Sequence, residues 1–589
     1  MNWGAAPISV FELFEILLTL LCAGIAWARP ESGSTWFSGM EEALRNVSRR
    51  TWLCVVILFV FPIVLRLMLL PVYAPPVPFI SDEYAYLLQS DTFSSGRLTN
   101  PAPALWQNFA SVYVLASPTY TAEYQAGQGL ILALGQVLTG VPWVGVMLSV
   151  GVMCALIYWA LLSWLPPVWA FSGTLIVVDV QIGVLSYWMN SYWGGCVPAM
   201  GGALVLGSLP RLRDGNRVLF SFVTAAGLII LMNSRPLEGV FLTIVAAGVL
   251  VHWTFLGKEL SLRALLGQVL PSLALSFALA VAFAGYYNHR VTGNAAEFPY
   301  LLYRSEYGLP QGFFWQKPVR ITTPLPADIR SEYEEQLQQH ERRTSLKLLL
   351  TATGGKLRRV WEFYVGVPLT AALAFLPFIW REGRRPRDIS GRMTWRNKGL
   401  AVWTLAIVLG VDNMLFFAYF PHYSAAVMVL IVLVMIQCIR RMRCWGPAGL
   451  FLSRSLPLVC VLGLLIPMGG RMVEGFLPQR LAAVKMLWQS EFVHEVSRER
   501  FVPQLEREPG KQLVLVRYQP YDGERKHEWI FNRANLQTAR IVWARDSDDP
   551  QTVRQLEEQF AGRKVWLAEP DAKPPRVTPY PESGLNKDF

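Results

Sequence analysis

Residues Leu53–Leu70 read LCVVILFVFPIVLRLMLL. As a helix rising about 1.5 Å per residue, that run covers nearly all of the ~30 Å hydrocarbon core of a bilayer. Val218–Leu231 and Ala401–Phe417 repeat the pattern. The composition agrees: 53% of the 589 residues are hydrophobic and 16% charged, against about 25% charged in an ordinary soluble domain. A large soluble protein could also carry apolar core helices, but helices this pure rarely recur a dozen times in one. The net charge of +11 does not point to nucleic acid as a partner. The basic residues gather at the ends of apolar runs, as a positive-inside bias requires, instead of forming a binding stripe. The seven cysteines (Cys22, Cys54, Cys154, Cys196, Cys438, Cys444 and Cys460) lie in or beside apolar segments without CxxC spacing. They read as buried hydrophobes, not as a disulfide framework or a metal site. Glu12 and Glu15 interrupt the first apolar run and no basic residue precedes it, so no cleavable signal is expected.

Twelve spans are predicted, starting near residues 8, 52, 143, 168, 194, 217, 238, 265, 361, 399, 422 and 453. Arginine and lysine orient them. Arg29 with Arg45, Arg49 and Arg50, then Arg211, Arg213 and Arg217, then Lys258 and Arg263, then REGRRPR (381–387) with Arg392, Arg396 and Lys398, and finally Arg440, Arg441 and Arg443 mark five loops. All five share one side only if the glycine-punctuated stretch at 126–138 does not cross, so it is placed as an interfacial or re-entrant helix. The N-terminus, the loops 72–142 and 288–360 and the tail beyond 471 then share the outer face. Three parts follow: residues 1–51, a first transmembrane helix and a cytoplasmic loop; residues 52–470, the transmembrane body; and residues 471–589, a small α/β domain. In that tail KQLVLVR (511–517), RIVWA (540–544) and KVWLA (564–568) read as strands and 549–561 as a helix. The last twenty residues, with five prolines, read as loosely ordered.

The polar residues at the outer ends of the spans are the candidates for chemistry. Asp82 and Glu83 stand just outside the second span. A carboxylate there can take the proton of an attacking hydroxyl, or acids at that position can cap the following helix; the two roles can fall to different members of the pair. SYWMNSYWGG (186–195) joins two spans on the same face. Tyr187, Trp188, Tyr192 and Trp193 with Asn190 suit an interfacial aromatic belt or a sugar or headgroup site. Asp179 lies one to two turns deeper, where an acid is costly. In NSRPLEG (233–239), Arg235 can pin a phosphate by paired hydrogen bonds or pair with Glu238. His422 and Tyr423, Arg471, Asp412 and, in the second loop, Asn288 complete the set.

On these strings the chain resembles the GT-C superfamily of membrane glycosyltransferases, especially a bacterial branch carrying DEYAYLL, LTNP, SYWMNSYWGG, NSRPLEG and YYNHRVTGN, with HEWIFNRANL and IVWARD in the tail. The resemblance implies a polytopic all-helical membrane protein of about twelve transmembrane helices with a small C-terminal α/β periplasmic domain, in a bacterial inner membrane. It implies transfer of a sugar from a polyprenyl-phosphate-linked donor to a glycan, lipid or protein acceptor on the outer face. The catalytic acid of the first loop falls on Asp82, with Glu83 second. Donor phosphate contact falls on Arg235 ahead of His422, Tyr423 and Arg471, while Tyr187, Trp188, Asn190, Tyr192, Trp193, Glu238 and Asn288 are candidates for sugar or acceptor contact. The expected cofactor is none: some members use a divalent metal and others do not, and no acid–histidine cluster here compels one. The rival class, a transporter or flippase of lipid-linked sugars, would spread polar residues through both halves of the membrane; here they crowd the outer half, with Asp179 and Asp412 the exceptions.

Overall fold

The computed structural model describes residues 10–71, 73–184, 186–307, 317, 324–341, 346–379, 420–472, 498–524 and 526–581. The basic loop at 381–398, the span near 399 and Asp412 lie outside them. The described chain is mostly helical. In order come α1 (Val10–Ala28), α2 (Ser34–Ser48), α3 (Thr51–Met68), α4 (Ser81–Ser94), α5 (Ala126–Thr139) and α6 (Pro142–Leu161). They are followed by α7 (Pro167–Gly173, continued by π-helical turns over Thr174–Val184), α8 (Cys196–Asp214), α9 (Arg217–Met232) and α10 (Pro236–Val251). Among the described residues six stretches are long and apolar enough to cross a membrane: Thr51–Met68, Pro142–Leu161, Pro236–Leu256, Leu262–Thr292, Pro421–Arg443 and Gly446–Gly463. Pro167–Val180 and Arg217–Met232 are apolar but shorter.

One boundary differs from the expectation. The span predicted from residue 361 is instead the end of a helix over Leu346–Tyr364, and a new helix, Gly366–Leu373, follows it. Gly366 sits at φ +68°, a left-handed conformation that a residue with a Cβ resists and that breaks one helix from the next.

Side-chain contacts sort the loops onto two faces. On one, Arg211 donates to the Trp159 carbonyl at 2.7 Å, Arg213 pairs with Glu259 at 3.0 Å, Arg440 lies over the Trp169 ring, and Arg443 and Arg454 both grip Glu41 of α2 at 2.6 and 2.8 Å. On the other, the start of α4 meets the 186–195 loop, the turn at 233–235 meets Tyr423, and the C-terminal end of the Leu262–Thr292 helix meets the first loop, where Thr119 donates to the Val291 carbonyl. These are called here the arginine face and the loop face. α5 stays on the loop face: its Gly127 N–H donates to the Asn233 carbonyl at 2.8 Å, and its later turns abut Gly145 in the first turn of α6. Leu130, Leu134, Val137 and Leu138 remain exposed along it, the stripe an interfacial helix presents to lipid.

The first loop adds a small sheet, not anticipated from the sequence, in which β1 (Asn100–Pro101) and β2 (Val114–Leu115) flank β3 (Thr119–Ala122), all antiparallel. The tail is a sheet of order β5-β4-β6-β7, with β4 (Gln512–Val516), β5 (Ile541–Arg545), β6 (Lys564–Glu569) and β7 (Arg576–Pro579). β4 runs parallel to both β5 and β6, and the helix Pro550–Gln559 carries the chain from β5 across to β6 on the other side of β4. β7 corrects the expectation of loose order in the last twenty residues: it pairs antiparallel with β6 at the sheet edge, where prolines are tolerated. The tail docks on α4, with the Tyr84 and Phe531 rings stacked at 4.4 Å and Asp91 paired with Arg533 at 3.0 Å. One buried cluster joins the first loop, the second loop and the tail.

The two-face arrangement is testable at the ends of one helix. Arg263 and Asn294, both exposed, lie at the opposite ends of the Leu262–Thr292 helix. In sealed vesicles of a Cys444→Ser background, a membrane-impermeant maleimide should reach only one of Arg263→Cys and Asn294→Cys. Labelling of both from the same side would refute the arrangement.

Candidate functional site

The frame of the site starts with an arginine inside a span. Arg66 of α3 is 1% exposed. Its guanidinium donates to Asn190 Oδ1 at 2.7 Å and to the Tyr73 and Ala74 carbonyls at 2.8 Å each, and it lies over the Trp143 ring. A charge in this setting persists only if its N–H groups are met. Meeting them ties the end of α3, the irregular segment leading to α4, the start of α6 and the 186–195 loop into one unit. The Asn190 amide is used in full, since its nitrogen donates to the Val184 and Ser186 carbonyls. Asn190 is therefore part of the scaffold.

Asp82 and Glu83 divide the two roles open to them. Glu83 is buried and accepts from the backbone N–H groups of Phe79 (2.8 Å), Ile80 (3.3 Å) and Tyr192 (2.9 Å). It caps α4 and staples the 186–195 loop to it; burial pushes its carboxyl up to about 7 despite those three donors. Asp82 keeps part of its surface open and accepts one hydrogen bond, from the Tyr124 hydroxyl at 2.6 Å. Burial pushes it up to about 6; the Tyr124 bond and the Arg235 charge pull the other way, and Glu332 adds to the rise. A carboxylate with a free oxygen and an affinity for protons in this range is suited to accept one from a hydroxyl.

Across from Asp82, Arg235 stands at the start of α10 with its guanidinium 4.3 Å from the centre of the Tyr423 ring. Glu238 is buried nearby, and among the described residues it makes no ion-pair contact with Arg235. Tyr187 and His422 pack behind. The Tyr187 hydroxyl accepts from the His422 backbone N–H at 3.1 Å and stands 2.7 Å from Nδ1. The other ring nitrogen, Nε2, is buried without a partner among the described residues. Trp193 meets the His422 ring edge-on at 4.7 Å. Behind Arg235 lies a cavity of about 10 Å³ lined by Tyr86, Gln125, Gln128, Trp193 and Ser234, room for about one water. A lipid headgroup fits against Arg235 only after some of these side chains move.

The structure thus gathers Asp82, Arg235, Glu238, Tyr187, Trp193, His422 and Tyr423. It places the other candidates elsewhere. Trp188 is 1% exposed and packs on Phe363 and Tyr364. The close approach that the adjacent glycines permit is made by its own ring, since a Cβ at Gly195 would collide with it. Tyr192 is engaged with Glu83 and, through its hydroxyl, with the Pro76 carbonyl. Asn288 donates to the Ala295 carbonyl beyond the last turns of its helix. Asp179 lies deep in the π-helical turns of α7, fully buried beside Cys154. Arg471 ends the Gly446–Met472 helix, and its side chain lies outside the described residues.

The structure also adds residues that the sequence reading missed. Tyr124 stacks on Tyr86 at 4.6 Å and holds Asp82. Glu123 is buried, and burial pushes its carboxyl up to about 8, Arg304 opposing and Asp82 and Glu332 reinforcing the rise. Glu332, from the second loop, accepts from the Tyr113 hydroxyl at 2.9 Å. The adjacent Glu123-Tyr124, an acid and an aromatic just before the glycines of α5, was the available signal. Among the described residues no group of three or more His, Cys, Asp or Glu side chains is placed to hold a metal ion.

The division of roles predicts opposite outcomes for two neighbouring substitutions. Glu83→Gln turns an amide donor toward backbone N–H groups and should lower the melting temperature of the detergent-solubilised protein, by a free-energy loss of about 1–3 kcal/mol. Asp82→Asn keeps an acceptor for Tyr124 and removes a buried charge, so its melting temperature should equal or exceed that of the parent. A thermal unfolding assay on both decides it, and the reverse order would invert the assignment.

No family model matches the chain, and no curated protein matches it. Among solved structures it is similar to two crystal structures of ArnT from Cupriavidus metallidurans. The one bound to undecaprenyl phosphate has 14% identity and a TM-score of 0.49 over 87% of this chain and 92% of that one. The apo structure has 13% identity and a TM-score of 0.48 with the same coverage. At these identities the likeness is one of fold alone.

Proposed function

We propose that the chain is a membrane glycosyltransferase that moves a sugar from a polyprenyl-phosphate-linked donor to a hydroxyl of a glycan, lipid or protein acceptor. The observation that supports it is the pairing of functions on the loop face: Asp82, a carboxylate with an open oxygen held by Tyr124, and Arg235, which forms no ion pair among the described residues and whose charge reaches Asp82. In this reading the loop face is the outer, periplasmic face of a bacterial inner membrane, and the body holds about twelve spans.

The chemistry follows from the two groups. The acceptor oxygen attacks the anomeric carbon while the bond from that carbon to the phosphate oxygen breaks. The bonding pair leaves with the polyprenyl phosphate, and the acceptor proton passes to Asp82. Arg235 offsets the charge that grows on the departing phosphate, with His422, in the tautomer that carries its proton on Nε2, as a second donor once the rings around it open. Attack opposite the leaving group inverts the anomeric centre. Tyr124 holds the Asp82 carboxyl in place, and Glu83 holds the helix that carries it.

A flippase of lipid-linked sugars is the second reading, and the deeply buried Asp179 is the observation that favours it. It predicts translocation of labelled donor across vesicles, unchanged by Asp82→Asn and without transfer.

Purified chain in proteoliposomes, given mixed polyprenyl-phosphate sugars with undecaprenyl phosphate as the first carrier, should transfer sugar to acceptor. Asp82→Asn should lose on the order of 10²–10⁴-fold in rate, and Arg235→Ala on the order of 10²–10³-fold. Because the base must be ionised, the parent rate should rise with pH through about 6 and level off above it. Equal rates for parent and Asp82→Asn would remove Asp82 from catalysis.

A further inference from the structure

A second polar site lies on the other side of α4. A groove of about 890 Å³ separates the tail from this helix and from the start of α6. Its α4 wall is Tyr84, Leu87, Leu88 and Asp91, an i, i+3, i+4, i+7 stripe continued by Ser95 just past the helix. Asp82 and Tyr86 occupy a different stripe and face Tyr124. The groove and the Asp82 site therefore back onto opposite flanks of the same helix.

Hydrogen-bond accounting gives the groove its chemistry. Three arginines at its wall have N–H groups to spare. Arg97 engages no acceptor with its side chain among the described residues. Arg540 spends only Nη2, on the Glu506 and Glu508 carbonyls at 2.6 and 3.2 Å. Arg533, 67% exposed, spends only Nη2, on Asp91. The acids do not balance them. Asp91 already accepts from Arg533, Gln136 and the Ala534 N–H, and Glu499 is taken by Arg498 and Tyr84. Glu506 alone is left. Asn535 adds an unspent amide, since its oxygen already accepts from the Gln537 and Thr538 N–H groups. Surplus guanidinium donors match carboxylate or phosphate oxygens. The volume falls in the range of about 300–1,000 Å³ that holds a ligand much larger than a single ion.

We propose that this groove binds an acidic oligosaccharide, a hydroxyl-rich chain bearing carboxylate or phosphate groups, at a site separate from that of Asp82. Arg97, Arg533 and Arg540 meet its anionic groups, and the amide of Asn535 meets its hydroxyls. Such a site tethers a glycan against the helix that carries Asp82 without occupying the Asp82 site itself.

The test needs binding only, so its failure is read separately from any failure of the transferase reading. The full chain in detergent micelles is titrated calorimetrically with short oligogalacturonate, with a phosphorylated oligosaccharide and with a neutral malto-oligosaccharide of the same length. Saturable binding of either acidic probe, with no binding of the neutral one, is expected. Arg97→Gln/Arg540→Gln should weaken that binding by about tenfold or more. Arg507→Gln, an exposed arginine of the same domain outside the groove, should leave it unchanged. Failure of both acidic probes, or equal loss in the two variants, would overturn the proposal. So would occupation of the groove by phosphatidylglycerol micelles in place of the oligosaccharides, since the anion recognised would then be a lipid headgroup.

Discussion

A guanidinium removed from water has to be met at its N–H groups, and in this protein that demand is made by Arg66. Its partners come from three places in the chain: Asn190, the carbonyls of Tyr73 and Ala74, and the face of Trp143. None of these could be moved alone without leaving a guanidinium N–H unmet, since a hydrogen bond to a buried charge is worth about 1.5–3 kcal/mol. The segment leading into α4, the loop before α8 and the first turn of α6 are consequently held in one arrangement. The Tyr192 hydroxyl on Pro76 and Glu83 on the Tyr192 N–H then continue the same tie outward. The site rests on this set of bonds, although Arg66 contributes nothing to its chemistry.

Upon that frame the two neighbouring acids acquire different properties from different surroundings. Glu83 faces inward to backbone donors and Asp82 faces a tyrosine and an open space. Burial raises both, yet only Asp82 has an oxygen left to accept a proton from outside. Arg235 is kept available in a similar way. Its start-of-helix position and the Tyr423 ring support the guanidinium from its face, leaving its N–H edge unspent on Glu238. The closely packed rings around His422 leave little room behind Arg235, so any ligand reaching it there has to move Tyr86, Trp193 or their neighbours.

The tail extends the same logic beyond the membrane surface. Tyr84 stacks on Phe531, Arg498 covers Tyr84, and Asp91 joins Arg533, Ala534 and Gln136. α4 is thereby held from the tail on one flank and from Tyr124 on the other. A helix so gripped can present Asp82 at a constant place. The groove along its outer flank exists only because the tail is docked there.

Much of this was open to reading in the chain itself. Apolar runs of membrane length, arginines gathered at alternate ends and the strand–helix–strand pattern of the tail each depend on local composition, so the mostly helical body and the small α/β domain could be anticipated. The DEYAYLL and NSRPLEG strings likewise marked Asp82 and Arg235, because a charge next to an apolar run needs a reason. What local pattern could not decide was how residues far apart in sequence share one space. Whether Asp82 or Glu83 would face the site depended on Tyr192, more than a hundred positions away. That Asn190 would serve Arg66, that Trp188 would fill the gap left by Gly195, and that Tyr124 would hold Asp82 were likewise set by packing. Sequence alone determined that the chain carries apolar runs of membrane length and which polar residues border them, since these follow from the cost of transfer per residue. Only the tertiary structure decided which of those polar residues are spent on one another and which are left for a substrate, since hydrogen-bond satisfaction is a property of neighbours in space.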